Sequence, residues 1–339
     1  MNRPRHKIEA LFLSLVLLAG CAHVERRPYL PLTDPSSLSR ELRNRILALD
    51  PEHLSEEEIS QVLSKCPAPR MILLEGSLRF VSMESFARFL VAMGYPEDRV
   101  RDPRNGSYSY SSYADSRIMA GMIAWYYEKE GMRPMVIGYS QGGMLSVRIL
   151  HELAGTFHEK VAVWNPLSGI SEERYSIVDP LTREERSVVG FRMGFASAAA
   201  TGKPMRVLLG QWAMLNHLRE IPGTVEEFSG YHLKYDLISG TLFGVGQGDQ
   251  YSSTGSSSVR NIVLPSGIHH LDIPLTEDLA GDPETRQWIQ RYVPSMETGE
   301  RSGPFPGEKG NILFAADLWY SIKKHWCLEL KRWILAKPK

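Results

Sequence analysis

Cysteine is scarce in this chain of 339 residues: Cys21, Cys66 and Cys327 are all it has. No two of them stand at C-x-x-C spacing, which excludes the common zinc and redox motifs. An excess of charge of one sign is missing too, since 39 Lys and Arg stand against 39 Asp and Glu. A nucleic-acid-binding class would carry a basic surplus, so none is expected here. No apolar run reaches the roughly 20 residues that a membrane-spanning helix needs. Solenoid-period repeats and low-complexity tracts are absent. The glycine-rich GVGQG at 244–248 is not G-x-G-x-x-G and precedes no helical pattern, which argues against a dinucleotide. His269 and His270 lack a third ligand at workable spacing, so neither a cofactor nor a metal is expected. What remains is a chain 43% hydrophobic and 23% charged, enough for one large domain or a domain with a small companion.

The N-terminus reads as an address. Arg3, Arg5 and Lys7 precede an apolar run from Ala10 to Leu18, the charged and hydrophobic regions of a secretory signal, with Glu9 as an irregularity. The run ends in Leu18-Ala19-Gly20-Cys21, which resembles the bacterial lipobox. The resemblance implies cleavage before Cys21 and diacylation of that cysteine, with residues 1–20 as signal peptide. The alternative is a generic signal cut after a small residue. Ala22, in place of an aspartate, points to the outer membrane. More than one acyl chain gives stable anchoring, so the expected product is a globule tethered to the envelope and facing the periplasm. Residues 21–40, rich in Pro, Ser and charge, read as the tether.

Two short helices are expected within 41–69, one over Leu42–Leu49 and one opening at Ser55, where Glu58 completes a capping box. MILLEG, Met71 to Gly76, is a continuous apolar run closed by glycine, the pattern of a strand buried on both faces. Phe86, Phe89, Leu90 and Met93 then mark an amphipathic helix stopped by Gly94, and a second such helix ends at Gly131. PMVIGYS is another buried strand, 142–153 another helix, and VAVWNP, 161–166, a third strand. RVRDP near Val100 is a weak candidate for an edge strand. Such alternation predicts an α/β fold, a mostly parallel, doubly wound sheet covered by helices. Residues 171–230 break the rhythm and read as an inserted helical cap, rich in Phe, Met, Leu and Ala. The core would then be 70–170 and 231–295, with strands at YHLKYD and NIVLP and a helix over Pro283–Tyr292. The segment 296–339 is amphipathic and carries Trp319, Trp326 and Trp333; it suits packing on its own domain, or a membrane surface.

Val136 to Met144 reads VIGYSQGGM. Ser140 sits in G-x-S-x-G with a strand before and a helix after, the context in which that pattern presents a nucleophile on a sharp turn. Glycines there let strand and helix approach closely, and the helix N-terminus favours developing negative charge. A serine hydroxyl needs a histidine to take its proton, and the histidine needs a carboxylate to fix its tautomer. Among the later histidines, only His269 and His270 directly follow a buried-type strand. Asp236, at the end of YHLKYD, suits the acid; Asp249 in GQGDQY competes, and Asp272 is too near His270 to turn back on it.

These pieces resemble the α/β-hydrolase superfamily, in particular cutinase-type esterases: GYSQGG resembles their nucleophile motif, DLISG their acid motif, and the His270-Leu271 step their closing histidine. The resemblance implies an esterase or lipase with Ser140 as nucleophile, His270 as base and Asp236 as acid. It also implies an oxyanion hole from the backbone N–H groups of Gln141 and Ser77. The substrate would be a small apolar or acyl ester. The similarity covers scattered motifs within about 70–275, and the larger cap and longer acid-to-base gap depart from the family. Acyl transfer or thioester cleavage on the same triad, and a non-catalytic envelope lipoprotein on this scaffold, are the rival readings.

Overall fold

The structure, a computed structural model, describes residues 35–77, 82–202, 212–236, 238, 245–294 and 311–336. Five strands form one wholly parallel sheet: β1 (Met71–Leu74), β2 (Met135–Tyr139), β3 (Met193–Ala199), β4 (Val225–Leu233) and β5 (Ser258–Leu264), neighbours in that order. Strands apolar at every position imply cover on both faces, and this sheet has it. Met71 and Leu73 enter one core cluster with Met135, Ile137 and Tyr139, while Ile72, Leu74 and Val136 enter a second. Helices α1 (Arg40–Ala48), α2 (Glu56–Gln61), α3 (Glu84–Ala92), α6 (Pro283–Arg291) and α7 (Ile312–Leu335) contribute to the first cluster. Helices α4 (Ser116–Glu130) and α5 (Gln141–Leu153) contribute to the second. The fold is therefore α/β, with helices on both faces of a five-stranded parallel sheet.

The local signals behave as the chain implied at most of these elements. Ser55 and Glu58 close the capping box of α2 reciprocally. Asp115 caps α4 by accepting from the N–H groups of Arg117 and Ile118. Cys66 and Cys327 are buried and unpaired, and burial pushes their thiols up to about 11 and about 12.

Three expectations are corrected. Residues 171–230 are not a helical cap, because β3 and most of β4 lie there, at the centre of the sheet. MGFASAA reads as helix through its alanines, yet every residue of it is a buried strand position, where small side chains suit a layer packed from both faces. The N-terminal half of β4 is hidden by Glu226 and Glu227. Arg133 pairs with Glu226, and Arg260, Lys324 and His325 with Glu227. Burial alone would raise the Glu227 carboxyl, but the hydrogen bond from His325 and the surrounding cations hold it well below the usual carboxylate range. Of RVLLGQWAMLNHLREI, residues 206–211 lie outside the described residues, and the rest shows one short 3-10 turn, Trp212–Met214, and two strand residues, Glu220–Ile221.

VAVWNP is not a sheet strand. Val161 and Val163 are buried against α4 and α5, and Trp164–Asn165 pairs antiparallel with Ile170–Ser171. RVRDP is no edge strand either, since Glu97–Val100 form a helical turn. Of the two readings of the C-terminal segment, α7 takes the first and packs on its own domain: Trp319 and Trp326 are fully buried in the first cluster. No described helix is long and apolar enough to cross a membrane.

The edge position beyond β1 is held by Tyr110, which forms a single parallel bridge with Leu74. The chain thus leaves β1 outward, touches the edge at Tyr110, and crosses back to β2. Connections that diverge in this way open a crevice at the carboxyl ends of the two strands, where ligands bind in sheets of this type.

Candidate active site

Ser140 stands in that crevice, on the turn from β2 into α5. Its backbone is left-handed, φ 53° and ψ −117°, an unusual conformation for a residue with a side chain. The turn is held by Ser140 N–H donating to Ala199 O at 2.7 Å, and by Ser140 O accepting from Gly143 and Met144. The flanking glycines are steric necessities. A Cβ on Gly142 would lie 2.3 Å from Leu74 O, and one on Gly138 would lie 2.3 Å from Gly142 O. Strand β1 and helix α5 could not otherwise come so near.

The other two predicted side chains meet the serine here. His270 begins a single 3-10 turn after β5, and its Nε2 lies 3.0 Å from Ser140 Oγ. Its Nδ1 lies 2.7 Å from Asp236 Oδ2, and both side chains are over nine-tenths buried. Asp236 follows β4 by three residues, and its Oδ1 accepts from Ile238 N–H at 2.9 Å. With Asp236 ionised, Nδ1 carries the imidazole proton and Nε2 faces the hydroxyl with its lone pair. A carboxylate so placed also stabilises the imidazolium that forms if the hydroxyl gives up its proton. The competing residues do not take part. His269 is exposed, and Asp249 accepts from Gly246 N–H on a separate 3-10 turn.

Ser77 and Gln141 line the same recess as Ser140 and His270, together with Met144, Ala200, Gly202 and Ile238. Gln141 is the first residue of α5, where backbone N–H groups have no acceptor within the helix. The hydroxyl thus stands at the positive end of a helix of 13 residues, and Ser77, from the turn after β1, lines the recess with it.

Several supporting residues escaped the sequence. The Tyr139 hydroxyl donates to His270 O at 2.5 Å and so ties the end of β2 to the histidine loop. Burial, with the Asp236 and Asp272 charges adding, holds this phenol far above its usual pKa, so it stays a donor. Ser112 Oγ donates to Gly76 O at 3.0 Å, Tyr113 OH to Ser77 O at 3.0 Å, and Gln141 Nε2 to Ser112 O at 3.4 Å. The loop beyond Tyr110 therefore fastens the Gly76-Ser77 turn to the start of α5. Only the aromatic before Ser140 was visible beforehand, as the variable position of the motif. Cys21 lies outside the described residues. No group of His, Cys, Asp and Glu among the described residues could hold a metal ion.

The chain matches no family model, and no curated protein or solved structure aligns with it.

Proposed function

We propose that this chain is a serine hydrolase of the α/β-hydrolase type that cleaves carboxylic esters through an acyl-enzyme. The observation that carries the reading is the continuous hydrogen-bonded path from Ser140 Oγ through His270 to buried Asp236, presented on a left-handed elbow. In the proposed cycle His270 Nε2 takes the Ser140 proton as Oγ attacks the ester carbonyl. The oxyanion is received by the N–H groups of Gln141 and Ser77, each donor worth about 2.7–4 kcal/mol of barrier. His270 then delivers its proton to the leaving alcohol, and the same groups run in reverse with water to free the acid. Asp236 stays ionised throughout and orients the imidazole.

Ser140→Ala tests this. Turnover of p-nitrophenyl acetate should fall by about six orders of magnitude, to the level left by oxyanion stabilisation and binding. Wild-type turnover by that variant refutes the reading. Lipidation at Cys21 and an outer-membrane position belong to the same proposal, supported by the Leu18-Ala19-Gly20-Cys21 sequence. A signal-peptidase II inhibitor should leave the precursor uncut in cells, and unchanged processing sinks that part.

A further inference from the structure

A second cavity, of ≈ 580 Å³, adjoins the first across α5 and the loop at Ser112–Tyr113. Gln141 lines both, and Ser112, which holds the Gln141 side chain, lines the second. From Gln141 the cavity runs along one face of α5 through Arg148 and Glu152, residues 7 and 11 positions on, and reaches the first turn of α4 at Arg117.

Its charges are unequally committed. Glu152 is fully buried and satisfied, accepting from Ser116 Oγ at 2.7 Å and meeting His158 Nδ1 at 2.7 Å. Asp115 is engaged in capping α4. The cations are held less closely. Arg148 stacks its guanidinium on the Phe157 ring at 5.6 Å and forms an ion pair with Glu152 at 3.9 Å from Nε, too long for a hydrogen bond. That Nε is buried and without an acceptor. Arg117 makes no side-chain hydrogen bond or ion pair among the described residues, and its side chain is exposed. Two guanidinium groups that line one cavity and make no hydrogen bond among the described residues can receive an anion, and guanidinium geometry suits carboxylate and phosphate.

We propose that this cavity is the second half of the substrate site and takes an acidic group, a carboxylate or phosphate, carried by the ester that Ser140 attacks. The inference rests on the ester-hydrolase reading. Ser140 and Arg148 are eight residues apart along the turn and helix, so the acidic group stands on the order of 10 Å from the scissile carbonyl. The substrate class is therefore an ester with a remote negative charge rather than a wholly apolar one.

The test compares charged esters with their neutral methyl-capped counterparts at low salt. Mono-p-nitrophenyl suberate carries the acid on the acyl side; acetoxyoctanoate and acetoxyoctyl phosphate carry it on the alcohol side and separate carboxylate from phosphate. At least one charged member should be favoured by about tenfold or more in kcat/KM, the scale of a charge-assisted hydrogen bond. In an Arg117→Gln/Arg148→Gln double variant the charged-to-neutral ratio should collapse towards one. The ratio is an internal control, since partial misfolding lowers both rates together. A ratio near one for every pair in the wild type, or a preference that survives in the double variant, overturns the proposal. Calorimetric titration of the Ser140→Ala protein with suberate and with inorganic phosphate separates the two readings. If no ester is cleaved, binding that the arginine substitutions abolish upholds the anion site while the hydrolase reading fails, and absence of binding overturns the site itself.

Discussion

Replacing Asp236 with asparagine probes the proposed chemistry with least disturbance to the fold. The two side chains have nearly the same shape, and the amide oxygen can still accept from Ile238 N–H as Oδ1 does at 2.9 Å. What changes is the atom 2.7 Å from His270 Nδ1. A carboxylate oxygen only accepts, which forces the imidazole proton onto Nδ1 and leaves Nε2 free to take the Ser140 proton across 3.0 Å. An amide NH2 there donates instead, so the proton moves to Nε2, where the hydroxyl needs a base. The variant also loses the negative charge that stabilises the imidazolium, in a setting where both partners are almost completely buried and water cannot substitute. The expected loss in kcat is about 10⁴-fold, equivalent to about 5 kcal/mol of barrier. The assay is p-nitrophenyl acetate hydrolysis alongside a thermal melt, with Asp249→Asn as the comparison. The melt should move little and Asp249→Asn should stay within about threefold of wild type. Activity of Asp236→Asn within tenfold of wild type would refute the reasoning.

Two further outcomes follow from packing and linkage. Gly142→Ala places a Cβ 2.3 Å from Leu74 O and 2.5 Å from Glu75 O, so backbone must move at the elbow; the cost should exceed about 2 kcal/mol, lowering the melting midpoint by about 5 °C, and an unchanged midpoint would contradict the close approach. Lys323 is buried with only the carbonyls of Leu54 and Gln290 as hydrogen-bond acceptors among the described residues, and burial lowers its pKa from 10.5 to about 8. Between those values the unfolded chain binds the extra proton, so the penalty of this lysine is complete below pH 8 and fades as pH rises to 10.5. Urea titrations should therefore show wild type gaining on Lys323→Met by about 3 kcal/mol across that window, and a constant difference would show that the amine is not strained by burial.

How much of this was legible depended on whether the determining contacts were local. MILLEG and VIGYSQGGM carry their own punctuation, an apolar run with a glycine stop, and both became neighbouring sheet strands feeding the crevice. Ser55 and Glu58 are three residues apart, so their capping box could be read directly. Strand β4 was half lost because Glu226 and Glu227 read as surface, and their neutralising partners come from positions as far away as Arg133 and His325. Strand β3 was lost because alanine-rich sequence favours helix until a sheet buries it from both sides. Asp236 and the His269-His270 pair were found because each follows a strand end, and the His270-Leu271 resemblance chose between the histidines. The Ser112, Tyr113 and Tyr139 hydroxyls were not, because their acceptors are backbone carbonyls that only the tertiary structure brings near. The second cavity was equally hidden, since Arg117 and Arg148 come to line one cavity only when α4 packs beside α5.

The central claim is that Ser140 is a nucleophile activated by His270 and Asp236. Reaction of the intact protein with a fluorophosphonate, followed by proteolysis and peptide mapping, addresses nucleophile and activation together. The account predicts one adduct, on the peptide holding Ser140, formed rapidly in wild type, much more slowly in His270→Ala, and absent in Ser140→Ala. Labelling elsewhere, or none in folded wild-type protein, would contradict it.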